Sequence, residues 1–256
     1  MIEVKNVSKS FVIKEKRGFL NSNKSILKAV DDLSIVIKKG EITGLLGING
    51  AGKTTTVKML ATLLEPTEGT ILYDGISNKK HVIKNKINMI AGGERMIYWR
   101  LTARENLRYF GSLYGLYGKS LNERIKYLLN ITGLEDKADI PVEKFSKGMK
   151  QRLQIARGLI NNPDYIFLDE PTLGLDIQIA KDIRELFKKL AKENNKGILL
   201  TTHYMEEVEE LCDYIYLMNK GKLIKEGTTT EIINTCSHIK NCKLEDAIML
   251  ISKSIA

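Results

Sequence analysis

The residues best placed to do chemistry lie in a glycine-rich stretch in the first quarter of the chain. They follow the pattern G-x-x-x-x-G-K-[ST] at every fixed position. Glycines let the backbone bring its N–H groups close to an anion, while the lysine adds a cation and the threonine hydroxyl a metal ligand. The pattern predicts a triphosphate site formed by Gly47, Ile48, Asn49, Gly50, Ala51, Gly52, Lys53, Thr54 and Thr55.

The segments on either side of this stretch support the prediction. Residues 41–46 are an apolar run typical of a strand, and residues 55–64 place apolar side chains on one helical face. A helix that starts here directs its unpaired N–H groups and the positive end of its dipole at the anion. We expect Lys53 to reach the β- and γ-phosphates and Thr54 to hold Mg²⁺. The alternative, a glycine-rich turn without a ligand, is disfavoured by this context.

A second set of candidates follows an apolar run over residues 165–168, which is typical of a parallel strand buried on both faces. Two acids, Asp169 and Glu170, come directly after it. Because ligands of open α/β sheets bind beyond the carboxyl ends of strands, we expect Asp169 to hold Mg²⁺ and Glu170 to orient the attacking water. His203, also at a strand end, is predicted to hydrogen-bond the γ-phosphate or that water. The alternative is that the acids bond a turn at the sheet edge.

A third candidate is the helix start at Ser146, Lys147 and Gly148. Serine is a favoured N-cap, and a capped helix start is another anion site. A helical subdomain separates it from the glycine-rich stretch. We therefore expect it to serve the loop of a second copy.

The pattern of elements predicts an α/β fold. It consists of a P-loop NTPase core with a mostly parallel sheet, an N-terminal antiparallel β subdomain and an inserted α-helical subdomain over about residues 100–160. The ATPase domain is predicted over residues 1–232, with a short C-terminal tail of unknown role over residues 233–256. The basic stretch Lys14–Lys28 is predicted to be a surface loop between strands, with contact to lipid headgroups as the alternative.

Composition sets broader limits. The chain has 256 residues, of which 43% are hydrophobic, enough for a full core. It has no apolar run of membrane-spanning length and no signal-peptide core, so we expect it in the cytoplasm. The net charge of +9 suits a nucleic acid, an anionic membrane surface or simply a lysine-rich proteome. We expect reduced thiols at the three cysteines, with a metal site at Cys236, His238 and Cys242 as the alternative.

The order of these motifs resembles the ATP-binding subunit of ATP-binding cassette (ABC) transporters over about residues 1–230. The resemblance implies an ATPase that uses ATP and Mg²⁺ as a peripheral protein on the cytoplasmic face of the membrane. The motifs that carry it are Gly47–Thr54, Phe145–Arg152, Asp169–Thr172, Gly174–Asp176 and His203.

The resemblance also implies partners. A second ABC ATPase subunit, identical or different, would complete a head-to-tail dimer in which Ser146 and Gly148 bind the partner's ATP. Phe11 would stack on adenine, and Asp176 would lie across the dimer seam. Separate transmembrane permease subunits would dock beside residues 92–104 and the helical subdomain. No nucleic acid partner is expected.

Two positions depart from the family pattern. The signature L-S-G-G-Q has Lys147 for its first glycine and Met149 for its glutamine. Counting back from Thr102 places Gly93 where the family has the glutamine that touches Mg²⁺ and senses the membrane partner. The alternatives for that role are Glu94, which follows, or water together with Asp169.

The residues of these motifs resemble those of exporter subunits for sodium, antibiotics or polysaccharides. One rival function is a soluble ABC-type ATPase acting on nucleic acid or ribosomes. It is disfavoured because the chain has no tandem cassette or coiled-coil insertion. The other rival, an assembly switch with negligible hydrolysis, is disfavoured by the presence of Glu170 and His203.

Overall fold

A computed structural model of the chain describes residues 1–17, 21–77, 79–92, 97–236 and 242–254. Its strands are β1 (Ile2–Arg17), β2 (Asn21–Ile37), β3 (Ile42–Gly47), β4 (Glu68–Tyr73), β5 (Ile87–Ala91), β6 (Tyr165–Asp169), β7 (Gly197–Thr201), β8 (Tyr214–Asn219) and β9 (Lys222–Gly227). Its α-helices are α1 (Lys53–Leu60), α2 (Lys80–Lys86), α3 (Ala103–Leu113), α4 (Gly118–Ile131), α5 (Lys147–Gly158), α6 (Ile177–Lys192), α7 (Met205–Leu211), α8 (Thr229–Asn234) and α9 (Leu244–Ser254).

The chain divides into two compact units, and the predicted α/β class is confirmed in them. One unit comprises residues 1–38, 43–80 and His203 onward; the other comprises residues 39–42 and 81–202. The first holds the antiparallel sheet β2-β1-β4 and the parallel pair β3 and β8. The second holds the parallel strands β5, β6 and β7 together with the helical segment α3 to α5. Within the described ranges, no helix is long and apolar enough to span a bilayer.

The predicted surface loop over Lys14–Lys28 is wrong where the structure describes it. Strands β1 and β2 continue there as a two-stranded ribbon, paired from Ser10 with Lys28 out to Arg17 with Asn21. Residues 18–20 lie outside the described ranges. The physical reason is that the buried ends of the strands already set the register, so each added pair closes no new loop.

The C-terminal residues pack into the first unit. Leu244, Ala247 and Ile248 of α9 belong to a buried cluster that includes Leu46 of β3 and Leu217 of β8. These apolar residues follow helical spacing in α9, which explains their burial on one face. The predicted division into an ATPase domain over residues 1–232 and a tail over residues 233–256 stays a prediction.

The expectation of reduced thiols is wrong for two of the cysteines. A disulfide joins Cys236 to Cys242, whose Cα atoms lie 6.2 Å apart, within the usual span for such a bond. Cys212 is a free thiol. Across the described ranges no group of three metal ligands occurs, and His238 lies outside those ranges. Spacing in sequence could not show that the two sulfur atoms come within bonding distance.

Local signals in the second unit were correctly identified from the sequence. Thr102 caps α3, with its hydroxyl accepting from the Glu105 N–H at 3.1 Å, and the Glu105 carboxylate accepts from the Thr102 N–H at 2.8 Å.

The guanidinium of Arg152 in α5 donates to the Thr132 carbonyl at 3.0 Å and to Asp182 at 2.7 Å. These bonds tie α5 to the end of α4 and to α6.

Candidate nucleotide-binding site

The loop between β3 and α1 has a backbone that only glycine adopts easily. Gly47, Gly50 and Gly52 have φ values of 148°, 81° and 103°. A Cβ at Gly47 would collide with the Met218 carbonyl. The loop is also held from the β8–β9 turn, where the Gly221 N–H donates to the Ala51 carbonyl at 3.0 Å. The glycines therefore give the loop its shape.

Lys53 is held against this loop. Its ammonium donates to the Gly47 carbonyl at 2.6 Å and to the Ile48 carbonyl at 3.2 Å, and only 9% of the residue is exposed. Gly52 is the N-cap residue of helix α1, which has no side-chain cap and no acidic residue in its first turn. The exposed Thr54 lies in that turn. A helix start with no side-chain cap, no acidic residue in its first turn and a fixed cation fits a phosphate group.

The Asp169 carboxylate is positioned by a hydroxyl that sequence analysis missed. The Thr201 Oγ1 donates to Asp169 Oδ1 at 2.6 Å, and the Gly92 N–H donates to the Asp169 carbonyl at 2.8 Å. Thr201 lies opposite Asp169 in the parallel pairing of β6 with β7. The sequence does show a threonine at the end of the apolar run 197–201. It does not show the strand register that places this threonine opposite Asp169.

Glu170 has an unusual backbone conformation for a glutamate. Its φ of 53° lies in the left-handed region, and such strain often occurs at functional sites. Two hydrogen bonds stabilise it: the Glu170 N–H donates to the Thr201 carbonyl at 2.9 Å, and its carbonyl accepts from the Leu173 N–H at 3.2 Å. A Cβ at Gly92 would collide with that carbonyl. The surrounding backbone therefore fixes the position from which the Glu170 side chain starts.

Ser146 caps α5 as predicted, with its hydroxyl accepting from the Met149 N–H at 3.2 Å. The first turn of α5 has no acidic residue, so its dipole is not neutralised there. Gly148 is buried, and a Cβ on it would collide with the side chain of Ile179. The glycine thus has a packing role in addition to the predicted role in nucleotide binding.

Three further predicted residues lie at the ends or edges of elements. Phe11 on β1 is 37% exposed, with the Lys9 ammonium 5.5 Å from its ring centroid. Asp176 caps α6, and its Oδ1 accepts from the Ile179 N–H at 3.0 Å. His203 is exposed just beyond β7.

The predicted site residues are divided between the two units. The first unit contains Phe11, residues 47–55 and His203. The second contains the signature residues, Asp169, Glu170 and Asp176, of which Asp169 and Glu170 share Thr201 as a partner. The predicted coupling positions Gly93 and Glu94 lie outside the described ranges.

Comparisons with known proteins agree on one family. A family model described as ABC transporter matches residues 30–173. The chain is 47% identical over 206 residues to the ABC transporter ATP-binding protein NatA of Bacillus subtilis (strain 168), covering 80% of this chain and 83% of the relative. It is 43% identical over 204 residues to the bacitracin transport ATP-binding protein BcrA of Bacillus licheniformis, covering 78% of this chain. That alignment covers 64% of the relative, which is less than two thirds of its length.

A solved structure shows the same architecture. It is a dimeric ATP-binding cassette in a post-hydrolysis state bound to ADP and Pi. It superposes with a TM-score of 0.76 and 28% sequence identity, and the match covers 89% of this chain and 98% of that chain.

Proposed function

We propose that this chain, which belongs to the ABC transporter family of ATP-binding proteins, powers a membrane exporter by hydrolysing ATP. As a member of that family it is an ATP-binding cassette ATPase. The observation that carries the proposal is that the glycine-rich loop, with Lys53 held against it, stands in a chain 47% identical to a transporter ATP-binding protein. The cargo class follows the relative named for bacitracin transport, and the direction follows a relative named for Nod factor export.

The loop would bind the triphosphate. The N–H groups of residues 47–55 and the start of α1 would donate to its oxygens, and Lys53 would neutralise charge on the β- and γ-phosphates. Phe11 would stack on the adenine ring, which its partly exposed position on β1 permits. The left-handed glycines support this assignment because they expose backbone donors without a Cβ in the way.

Thr54 and Asp169 would hold Mg²⁺, which supplies positive charge to the phosphates when bound. The donor set fits the ion, because a hydroxyl and a carboxylate are oxygen ligands and Thr201 orients the carboxylate. Glu170 would orient and polarise the attacking water, and His203 would hydrogen-bond the γ-phosphate. The support for assigning these residues to one nucleotide is the family's order of motifs in the sequence.

Ser146 and Gly148 would bind the nucleotide of a second cassette subunit, identical or different, in a head-to-tail dimer. The first turn of α5 has no acidic residue, which supports an anion there, and the structural neighbour is itself dimeric. Asp176 would lie at the seam between the subunits. ATP binding would close this dimer and hydrolysis would reopen it.

Separate transmembrane permease subunits would receive this motion. They would dock beside residues 92–104, and the chain would then sit peripherally on the cytoplasmic face of the membrane. Sodium, antibiotics and polysaccharides are the cargo classes that the sequence resemblance suggests. The names of the relatives support transport and point away from nucleic acid.

Two substitutions and a pull-down test the proposal. Lys53→Ala is expected to abolish ATP turnover, and near-normal turnover would overturn the site. Glu170→Gln is expected to bind ATP and to remain a closed dimer, which gel filtration with ATP and Mg²⁺ measures. A monomer under those conditions would contradict the dimer mechanism. In the pull-down, tagged Glu170→Gln is expressed in its native cell and purified from gently solubilised membranes with ATP present. It should co-purify with a multi-spanning membrane protein. Co-purification of ribosomal proteins or RNA instead would refute the exporter function.

A further inference from the structure

The paired strands β1 and β2 extend well beyond the sheet that they start. Strand β1 pairs with β4 as far as Ser8, which lies opposite Glu68. From Ser10 outward β1 pairs with β2. We call residues 10–17 and 21–28 the outer ribbon. A two-stranded ribbon has two faces and two edges, and a core can cover at most part of them.

Apolar side chains are exposed on both faces of the outer ribbon. Val12 and Ile26 lie opposite each other and are 65% and 75% exposed. Successive strand residues point to opposite faces, so Ile13 and Leu27 lie on the other face, where they are 41% and 51% exposed. Exposed apolar residues clustered in this way mark an interaction surface.

The outer ribbon is also strongly basic in sequence. It contains the cations Lys14, Lys16, Arg17, Lys24 and Lys28 against the single acid Glu15. Lys28 forms an ion pair with Asp31 at the inner end of the ribbon, which leaves the charge excess toward the outer end.

We propose that the outer ribbon binds an anionic lipid surface, with Val12 and Ile26 entering the headgroup boundary and the lysines pairing with lipid phosphates. Val12 and Ile26 lie on the face opposite Phe11, so a lipid surface on that face leaves the proposed adenine contact free, and the excess of cations along the same ribbon matches an anionic partner. Lysine stems can lie along apolar surface while their ammonium groups reach the headgroups. The inference rests on the proposed function in that a transporter subunit works beside a membrane.

Vesicle flotation of the full chain tests the apolar part. The chain is expected to float with phosphatidylcholine vesicles containing phosphatidylglycerol and not with phosphatidylcholine alone. The double variant Val12→Ser/Ile26→Ser should lose about tenfold in vesicle affinity. These side chains lie on the face opposite Phe11, so nucleotide binding should be unchanged. The matched control is Leu63→Ser, an exposed leucine (70%) outside the ribbon, which should bind as the wild type does.

A charge-matched pair tests the electrostatic part. Lys14→Gln/Lys24→Gln removes two opposed ribbon cations and should lower affinity about tenfold, with a weaker salt dependence. Lys126→Gln/Lys137→Gln removes the same charge from exposed sites elsewhere and should have no such effect. Vesicle affinities are compared only between variants whose melting temperature equals that of the wild-type chain.

Three results would overturn the proposal: wild-type chain that does not float with anionic vesicles, ribbon variants that float equally well, or control variants that lose as much affinity. Ribbon variants that keep lipid affinity but lose a co-purifying membrane protein would show that the ribbon binds that protein instead. Vesicle binding needs neither ATP turnover nor a permease, so a failed exporter assignment is distinguishable from a failed lipid site.

Discussion

Thr201→Val is expected to raise the Mg²⁺ concentration that ATP hydrolysis requires, without unfolding the chain. The Thr201 hydroxyl donates to the Asp169 carboxylate at 2.6 Å, and the residue is 1% exposed. Valine matches threonine in shape, so the change replaces a donor with a methyl group and opens no cavity.

The magnitude follows from the kind of bond that is lost. A hydrogen bond to a charged group contributes about 1.5–3 kcal/mol, and this one is partly buried. Loss of an outer partner of a metal ligand typically lowers metal affinity by about 10- to 100-fold, in agreement with that energy. We expect the Mg²⁺ concentration for half-maximal turnover to rise by about that factor.

The assay is ATP turnover titrated with Mg²⁺ at fixed ATP. Nucleotide binding measured in the presence of a chelator should be unchanged, because Thr201 is assigned to the carboxylate and not to the phosphate loop. Thr201→Ser keeps the hydroxyl and should titrate like the wild type. Thr132→Val removes another buried hydroxyl, which donates to the Leu128 carbonyl at 2.7 Å, and controls for general loss of stability.

Wild-type Mg²⁺ dependence in Thr201→Val would refute the reasoning. So would an equal shift in Thr132→Val, because that shift would come from stability alone. A fall in turnover at every Mg²⁺ concentration with an unchanged midpoint would also refute it, because the carboxylate would then hold the ion equally well without the hydroxyl.

Three other predictions follow from packing and burial. Gly148→Ala should destabilise the chain by about 1–3 kcal/mol in urea unfolding, because its Cβ would collide with Ile179; Ile179→Ala should relieve part of that loss, and no relief would contradict the contact. Thr102→Ala should lower the free energy of unfolding by about 1 kcal/mol through loss of the α3 cap, while Thr102→Ser should not. Burial raises the pKa of the Cys212 thiol, so its thiolate should be scarce at neutral pH and its alkylation, mapped by peptide mass spectrometry, should be slow; rapid labelling of native protein would contradict this.

Sequence analysis identified those features of the chain that depend on residues close together in sequence. The glycine spacing at residues 47–54 specifies a loop that an L-residue with a Cβ would block, and the structure confirms the left-handed glycines. The Thr102 capping box and the Ser146 cap depend on residues three positions apart, so their partners are visible in sequence. Local chemistry of this kind needs no knowledge of the fold.

Long-range pairing accounts for what sequence analysis missed. The register of β6 against β7 joins Thr201 to Asp169, and no local signal marks that pair. The outer ribbon was mistaken for a loop because its polar composition is typical of loops, whereas cross-strand pairing that begins in the buried sheet extends into it. Strand pairing depends on the partner strand as much as on a segment's own residues.

The sequence by itself determined the family, the glycine-rich loop and the caps, because each depends on residue types at fixed short spacings. Only the tertiary structure decided that Gly148 must be small for Ile179, that Cys236 meets Cys242, and that Thr201 holds Asp169. These contacts join residues from separate elements, and their distances depend on how the whole chain packs. A pattern read along one chain contains no measure of that packing.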